Sequence, residues 1–440
     1  MKKLFVSLLL PSACLWCAAC SSPNQAAAAQ PSSFPNQAAA AQPSSFPNQA
    51  AAAQPSSSPQ AELVALQNNG GVNWGAGTED GFYFINPIVR KDGSCNLMYA
   101  DYKSEQVVYL CSQANCAHDS ASCTSYLMPT PGGVMPERVG DKIILFYRNP
   151  FRSGESEEPA RVETINFDGS ERQTIHTFRP EETPYTTMVT DGQNIYFVLE
   201  TVQKDSSVRK NLAKLDTLTG DLELLQEMSV ENSEYIWGCC GEDLIVYQSE
   251  MQDDSCIYQL SRWNFRSDYR DVICTWKSGD SFPILYENSL ALKGDDGYFH
   301  LLDLKENTDF TFTQYTTPEL CSSNIVFADS EGIVIRELTP TSANTASARF
   351  FSLTKDGKTT DFSLVMDDDG DKNIFRPVYT LNDHEYLVYA GDELKTNFMT
   401  DPDGTSQYVQ IPCPLFSIIS KSDFYSGIDT QRLMQYQHSK

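Results

Sequence analysis

The chain has 440 residues, 32 Lys and Arg against 58 Asp and Glu, a formal net charge of −26 and 13 cysteines. Between Leu4 and Gln60 there is no charged residue, while from Glu62 onward 58 acidic residues face 30 basic ones, a formal −28. A field this negative repels phosphates, so it excludes general nucleic-acid binding and disfavours adsorption to anionic lipid through a basic patch.

The amino terminus reads as an address. Met1-Lys2-Lys3 is a short basic region, Leu4 to Leu10 is apolar, and the apolar character resumes before Ala18-Ala19-Cys20-Ser21-Ser22. Small residues, a Cys and then serines resemble a bacterial lipoprotein signal. Residues 1–19 are then a signal peptide, cut before Cys20, whose thiol carries the lipid. Cys17 stands where Leu is usual, and the alternative is an ordinary secretory signal with a chance Cys. Pro11 interrupts a stretch already too short to cross a bilayer core of ~30 Å, so no spanning helix is expected.

Residues 20–60 are expected to be a disordered tether. The twelve-residue unit beginning at Pro23 repeats from Pro35 and from Pro47, the third copy ending in Ser58 instead of Phe. Its alanines favour helix, but prolines close each unit before a helix propagates. With no charge and almost no large apolar group, the segment has nothing to bury.

Residues 61–440 are expected to form one all-β domain. Short runs of Val, Ile, Tyr, Phe and Leu alternate with Gly, Asp, Asn and Ser clusters, the pattern of strands and turns. An apolar strand after a polar turn recurs seven times. The copies start near Asp80, Gly140, Asp191, Gly241, Glu287, Ser330 and Asn382. Hairpin turns accompany them near Asp101, Asp168-Gly169, Asp216, Asn264, Asp303, Asp356-Gly357 and Asp403-Gly404. Seven four-stranded units at a period near fifty predict a seven-bladed β-propeller, in which radial packing buries both faces of each sheet. The competing architecture is a pair of β-sandwiches.

The lipoprotein signal, the blade repeat, the run from Tyr99 to Ser104 leading to Leu110-Cys111, and the terminal stretch Ile418 to Tyr425 carry a resemblance. Over roughly Ala61 to Gly427 the chain resembles the TolB-like β-propeller lipoproteins of anaerobic Firmicutes. The resemblance implies a surface-exposed propeller and brings no catalytic residues with it.

Cys111, Cys116, His118 and Cys123 form a Cys-x4-Cys-x-His-x4-Cys pattern in the segment leaving the first blade. Three thiolates and an imidazole in so short a loop suit one tetrahedral structural Zn²⁺. The spacing is not a standard zinc-finger spacing, and exported cysteines also pair, so a disulfide among the three, with Cys95 as a further partner, is the alternative. Cys239, Cys240, Cys256, Cys274, Cys321 and Cys413 read mainly as small buried hydrophobes. The run Asp367 to Asn373 invites Ca²⁺ but lacks the EF-hand spacing, and Gly294 to Gly297 reads as a hairpin turn.

Catalytic signals are thin. The five histidines, His118, His176, His300, His384 and His438, build no metalloprotease motif. No nucleophile elbow, P-loop or dinucleotide fingerprint is present. Trp74, Trp237, Trp263 and Trp276 read as packing between blades, with sugar stacking as the functional alternative. The sequence therefore points to a lipid-anchored binding module rather than an enzyme. Its place is the outer face of a bacterial cytoplasmic membrane, with an envelope glycan, polymer or protein as partner. The alternatives are an envelope polysaccharide-acting enzyme with its site at the propeller channel, and a structural scaffold.

Overall fold

A computed structural model describes residues 62–66, 75–90, 92–128, 133–148, 159–252, 255–319, 321–342, 345–368, 371–400 and 406–437. The expected signal peptide at 1–19, Cys20, the expected tether at 20–60, Trp74 and His438 lie outside the described residues.

Seven antiparallel meanders follow one another along the chain, spanning 76–109, 134–177, 182–228, 235–277, 284–312, 322–361 and 376–433. They are numbered here as the first to the seventh sheet. Each of the seven apolar repeats forms the second strand of its sheet: Gly81–Ile85, Lys142–Tyr147, Asn194–Val202, Asp243–Gln252, Ser289–Lys293, Gly332–Ser342 and Glu385–Thr400. These runs are continuous rather than alternating because both faces are covered. Ile143, Ile144, Leu145, Phe146 and Tyr147 are all buried in succession. The last strands of the third and fourth sheets, Leu222–Met228 and Tyr269–Lys277, are largely exposed and correspondingly more polar.

The apolar side chains sort into six cores, and each core joins consecutive sheets. Leu97, Tyr83, Ile143 and Leu145 join the first and second sheets. Ile144, Phe146, Ile195 and Phe197 join the second and third. Val198, Leu212, Val246 and Trp263 join the third and fourth. Ile245, Leu260, Leu285 and Leu290 join the fourth and fifth, and Phe299, Leu301, Ile333 and Ile335 the fifth and sixth. The last core returns to the start: Phe327 and Val334 of the sixth sheet, Tyr386, Leu387 and Phe416 of the seventh, and Phe82, Phe84 and Met98 of the first. The cores thus follow one another in cyclic order.

One turn is used repeatedly between third and fourth strands. The side-chain oxygen of an Asp or Asn caps backbone amides two or three residues on. Asp101 accepts from the Lys103 amide, Asp168 from Ser170, Asp216 from Leu218 and Thr219, Asn264 from Ser267 and Asp303 from Lys305 and Glu306, at 2.8–3.1 Å. A residue at positive φ follows in each: Glu105, Gly169, Gly220, Asp268 and Asn307.

The seventh sheet departs from the expected repeat. Position 403–404 lies outside the described residues and falls between its second and third strands, Glu385–Thr400 and Ser406–Ser420. Its third-to-fourth connection is instead a helix, Lys421–Ser426, capped by the Ser420 hydroxyl on the Asp423 amide and ended by Gly427 at φ 65°. The helix delivers Tyr425 to a buried carboxylate, Asp329, at the end of the first strand of the sixth sheet. Asp329 accepts from the hydroxyls of Tyr425 (2.6 Å) and Tyr386 and from the Glu331 amide (2.9 Å), with Lys421 Nζ at 3.7 Å.

Three short strands lie outside the meanders. Val64–Ala65 extends the third sheet beside Val189 and Thr190, and Tyr126–Leu127 pairs with Cys95 and Asn96. Gln435–Tyr436 runs parallel to Gln106 and Val107 in the outer strand of the first sheet. An eighth sheet, the hairpin Val365–Asp368 with Asp371–Ile374, was not expected from the repeat. It contains the acidic run read for Ca²⁺, most of whose side chains lie outside the described residues. Among the described residues no single sheet closes on itself, so the architecture stands as a propeller-like array of antiparallel sheets.

Candidate metal centre

Cys111 follows the outer strand of the first sheet, Gln106–Tyr109, and Cys123 precedes Tyr126–Leu127, which returns to the same sheet. The intervening loop turns sharply at Asn115 and at His118, both at φ 57°, a conformation that Asn and His tolerate better than most residues. The effect is to fold the loop back on its own ends. The three sulfurs and an imidazole nitrogen all come within 4.8 Å of one another.

The donor set fits a closed zinc site. A tetrahedron with Zn–S bonds of ~2.3 Å has edges of ~3.8 Å, so the longest separation closes by about 1 Å on binding. His118 Nδ1 already lies 3.3 Å from Cys123 Sγ. Cys111, Cys116, His118 and Cys123 are placed so that together they can coordinate a structural metal ion such as Zn²⁺. Four protein ligands leave no position for a substrate or a reactive water, which marks the centre as structural rather than catalytic.

The loop is braced from three sides. The His118 carbonyl accepts from Asn96 Nδ2 at 3.0 Å and from the Arg90 guanidinium. The His118 ring stacks on Tyr109 with centroids 4.3 Å apart. Ser125 Oγ lies 3.0 Å from Cys123 Sγ and accepts from Asn96 Nδ2 at 2.9 Å. Arg172 of the second sheet donates to the carbonyls of Thr124 (2.8 Å) and Tyr126 (2.5 Å). These braces were invisible in the sequence, because Arg90, Asn96 and Arg172 belong to no motif.

Electrostatics separate the ligands. Burial raises the Cys123 thiol, which is pushed up to about 11 against the hydrogen bonds from Ser125. Burial works on Cys111 too, but there the Gln113 amide and the neighbouring Cys123, Thr124 and Cys116 outweigh it and hold the thiol below its ordinary value. Burial, then the Arg90 charge, lower His118, which favours the neutral imidazole a metal requires.

All ten described cysteines are free thiols. Cys95 is buried at the start of its strand, and its thiol is pushed up to about 11 by desolvation. Cys239 and Cys240 point to opposite faces of the fourth sheet and into different cores. Cys256 and Cys274 do occupy the two arms of one hairpin, but Cys274 faces Leu260, four positions beyond Cys256. Gly294 to Gly297 is the expected turn, and Asp296 in it meets His300.

A second cluster gathers Trp237 and Trp276, read from the sequence as packing with sugar stacking as the alternative, with rings the sequence did not single out. Tyr235, Trp237, Tyr247, Tyr258, Trp276 and Phe282 form an aromatic row on the face of the fourth sheet turned toward the fifth. Trp237 and Tyr247 stack at 5.3 Å, and Tyr258 and Trp276 at 5.5 Å. Tyr235 meets Tyr185 of the third sheet at 5.6 Å, and the buried Lys210 ammonium lies 4.6 Å from the Tyr235 ring. Glu200 pairs with Lys210 at 3.6 Å and accepts from the Tyr185 hydroxyl at 2.7 Å. Tyr185, Tyr235, Trp237 and Phe282 remain partly exposed. Trp263 and Trp276 are buried between sheets, as packing requires.

No protein-family model and no curated protein matches the sequence. Among solved structures the chain is similar to an oligogalacturonate lyase from Vibrio parahaemolyticus, at 15% identity and TM-score 0.40, covering 81% of this chain and 92% of that one. It is also similar to an oligogalacturonate lyase in complex with manganese, at 14% identity and TM-score 0.38, covering 80% and 91%. A polysaccharide lyase of family PL25, an ulvan lyase, gives 9% identity and TM-score 0.37 over 83% and 93%. The similarity is remote, and it is to several carbohydrate-active all-β proteins rather than specifically to TolB or to Firmicutes lipoproteins. The expectation of a non-enzymatic protein is corrected here: missing local motifs do not argue against activity. The physical reason is that repeated sheets assemble sites from residues far apart in sequence, which no short motif records.

Proposed function

We propose that the chain is a seven-bladed β-propeller, lipidated at Cys20 and held by its repeat tether on the outer face of a bacterial cytoplasmic membrane, where it acts on an envelope polysaccharide as an enzyme. The cyclic order of the six cores supports the seven-bladed reading. The observation that carries the polysaccharide reading is the partly exposed set Tyr185, Tyr235, Trp237 and Phe282, joined through the buried rings of Tyr247 and Tyr258. Aromatic faces stack on the C–H faces of sugar rings, and several partly exposed rings around one cluster suit a chain of sugars.

Depolymerisation and binding assays on envelope polysaccharides, with the full chain and a Trp237→Ala variant, test this reading. The expected result is cleavage of at least one polymer by the full chain, weakened about tenfold or more in the variant at unchanged thermal stability. Absence of both cleavage and binding across neutral, amino and acidic glycans overturns it. Lipidation is tested separately. Cys20→Ser releases the protein from membranes or leaves it unprocessed, and a mature wild-type protein that carries no lipid and washes off without detergent refutes the anchor.

A further inference from the structure

The zinc centre has two unlike halves. Cys123 is 3% exposed, sits in a turn closed by its amide on the Ser120 carbonyl at 2.9 Å, and runs directly into the Tyr126–Leu127 strand. His118 is held by its carbonyl and by its ring on Tyr109. Cys111 and Cys116 are the partly exposed half. Their stretch is tied by the Cys111 amide to the Tyr109 carbonyl and by Gln113 Nε2 to the Ser122 carbonyl. As residues, these two are partly open to solvent, while Cys123 is buried. All the sulfurs lie within 4.8 Å, so a movement of under ~3 Å brings two of them to S–S bonding distance, ~2.05 Å.

We infer that Cys111 and Cys116 form an oxidisable latch, which a two-electron oxidant of the peroxide class converts from zinc-binding thiolates into a disulfide, expelling the metal. This inference rests on the zinc centre and is independent of the polysaccharide reading. The two thiolates lose two electrons and form one S–S bond. Hydrogen peroxide accepts those electrons with two protons from solvent and leaves as two waters. Zn²⁺ departs to solvent, because Cys123 and His118 alone make a poor site, and Cys123 takes up a proton from solvent. A dithiol reductant reverses the bond, and zinc rebinds. The loop then gives up its bracing: the His118 carbonyl is the point at which Arg90 and Asn96 hold it to the first sheet.

The test uses the zinc-loaded full chain, titrated with hydrogen peroxide in the presence of a chromogenic chelator. The expected result is release of about one zinc per chain, a mass loss of about 2 units, and a disulfide mapped to Cys111 and Cys116, all reversed by a dithiol and added zinc. Amide exchange of residues 111–123 rises at the same time, while the sheets keep their protection. Cys239→Ser releases zinc as the wild type does. Cys116→Ser, treated with peroxide without the chelator, forms no disulfide within 111–123. Zinc retained through full thiol oxidation, a disulfide mapped to Cys123, or sulfinic acids in place of an S–S bond would each overturn the inference.

Discussion

Asp329 offers the sharpest test of how the sixth and seventh sheets are joined. Its carboxylate is 2% exposed and receives two tyrosine hydroxyls, an amide and, at 3.7 Å, the Lys421 ammonium. Replacing it by Ala leaves the Tyr386 hydroxyl without that acceptor and Lys421 without its charge partner, while Tyr425 keeps the Gly332 carbonyl at 3.1 Å. Hydrogen bonds to a charged group contribute about 1.5–3 kcal/mol each, and unpairing a buried ion costs about 3–5 kcal/mol. These terms overlap, so Asp329→Ala should lose about 3–5 kcal/mol in denaturant unfolding. Asp329→Asn keeps the shape and half the acceptors, though not the charge that faces the partly exposed Lys421, and should lose about 1–3 kcal/mol, less than Ala. In a cycle with Tyr386→Phe, the second change should cost at least ~1 kcal/mol less in the Ala background than in the wild type. An Ala variant within about 1 kcal/mol of wild type, or an Asn variant as costly as Ala, refutes the reasoning.

His118→Ala removes one of four metal ligands, and elemental analysis after dialysis should find metal retention reduced about tenfold or more, while the sheets melt as before. His300 sits between Asp309 at 3.0 Å and Asp296 at 3.2 Å, one on each ring nitrogen. Burial opposes its charge, but the hydrogen bonds it donates to the two carboxylates prevail and its pKa is raised above 6.5. Its contribution is therefore complete below about pH 6.5 and is lost as pH rises through the raised value. His300→Gln should flatten that part of a stability profile taken from about pH 5.5 to about pH 8.5, and an unchanged profile would assign the slope elsewhere. Gly220 has φ 76°, and a Cβ there would stand 2.0 Å from the Ile175 carbonyl oxygen. Gly220→Ala should cost about 2 kcal/mol or more by chemical denaturation, and a neutral effect would show that the turn yields freely.

The seven second strands were legible because burial on both faces demands an unbroken apolar run, as at Ile143 to Tyr147. The turns were legible because Asp101, Asp168, Asp216, Asn264 and Asp303 each perform the same capping, which few other residues can do. The third-to-fourth connection of the last sheet was not legible, since a helix capped by Ser420 stands there in place of an Asp-type hairpin. In the metal loop, sulfur and imidazole announce themselves by type and spacing. Arg90, Asn96 and Arg172 do not, because what qualifies them is where the fold carries them. The aromatic row was hidden for the same reason. Tyr185, Tyr235 and Trp276 come from three strands of two sheets, and only tertiary packing lines them up.

The strand Gln435–Tyr436 has a consequence for synthesis. It is laid along Gln106 and Val107, more than three hundred residues upstream. A ribosome delivering this chain amino-end first releases the partner of that edge only after more than three hundred further residues. Until then the outer strand of the first sheet presents unpaired amides and carbonyls, the kind of edge that recruits strands from other nascent copies. Crowded synthesis of the protein should therefore expose that edge to wrong partners until those residues have followed. A chain terminated just before Arg432 would keep the liability for good.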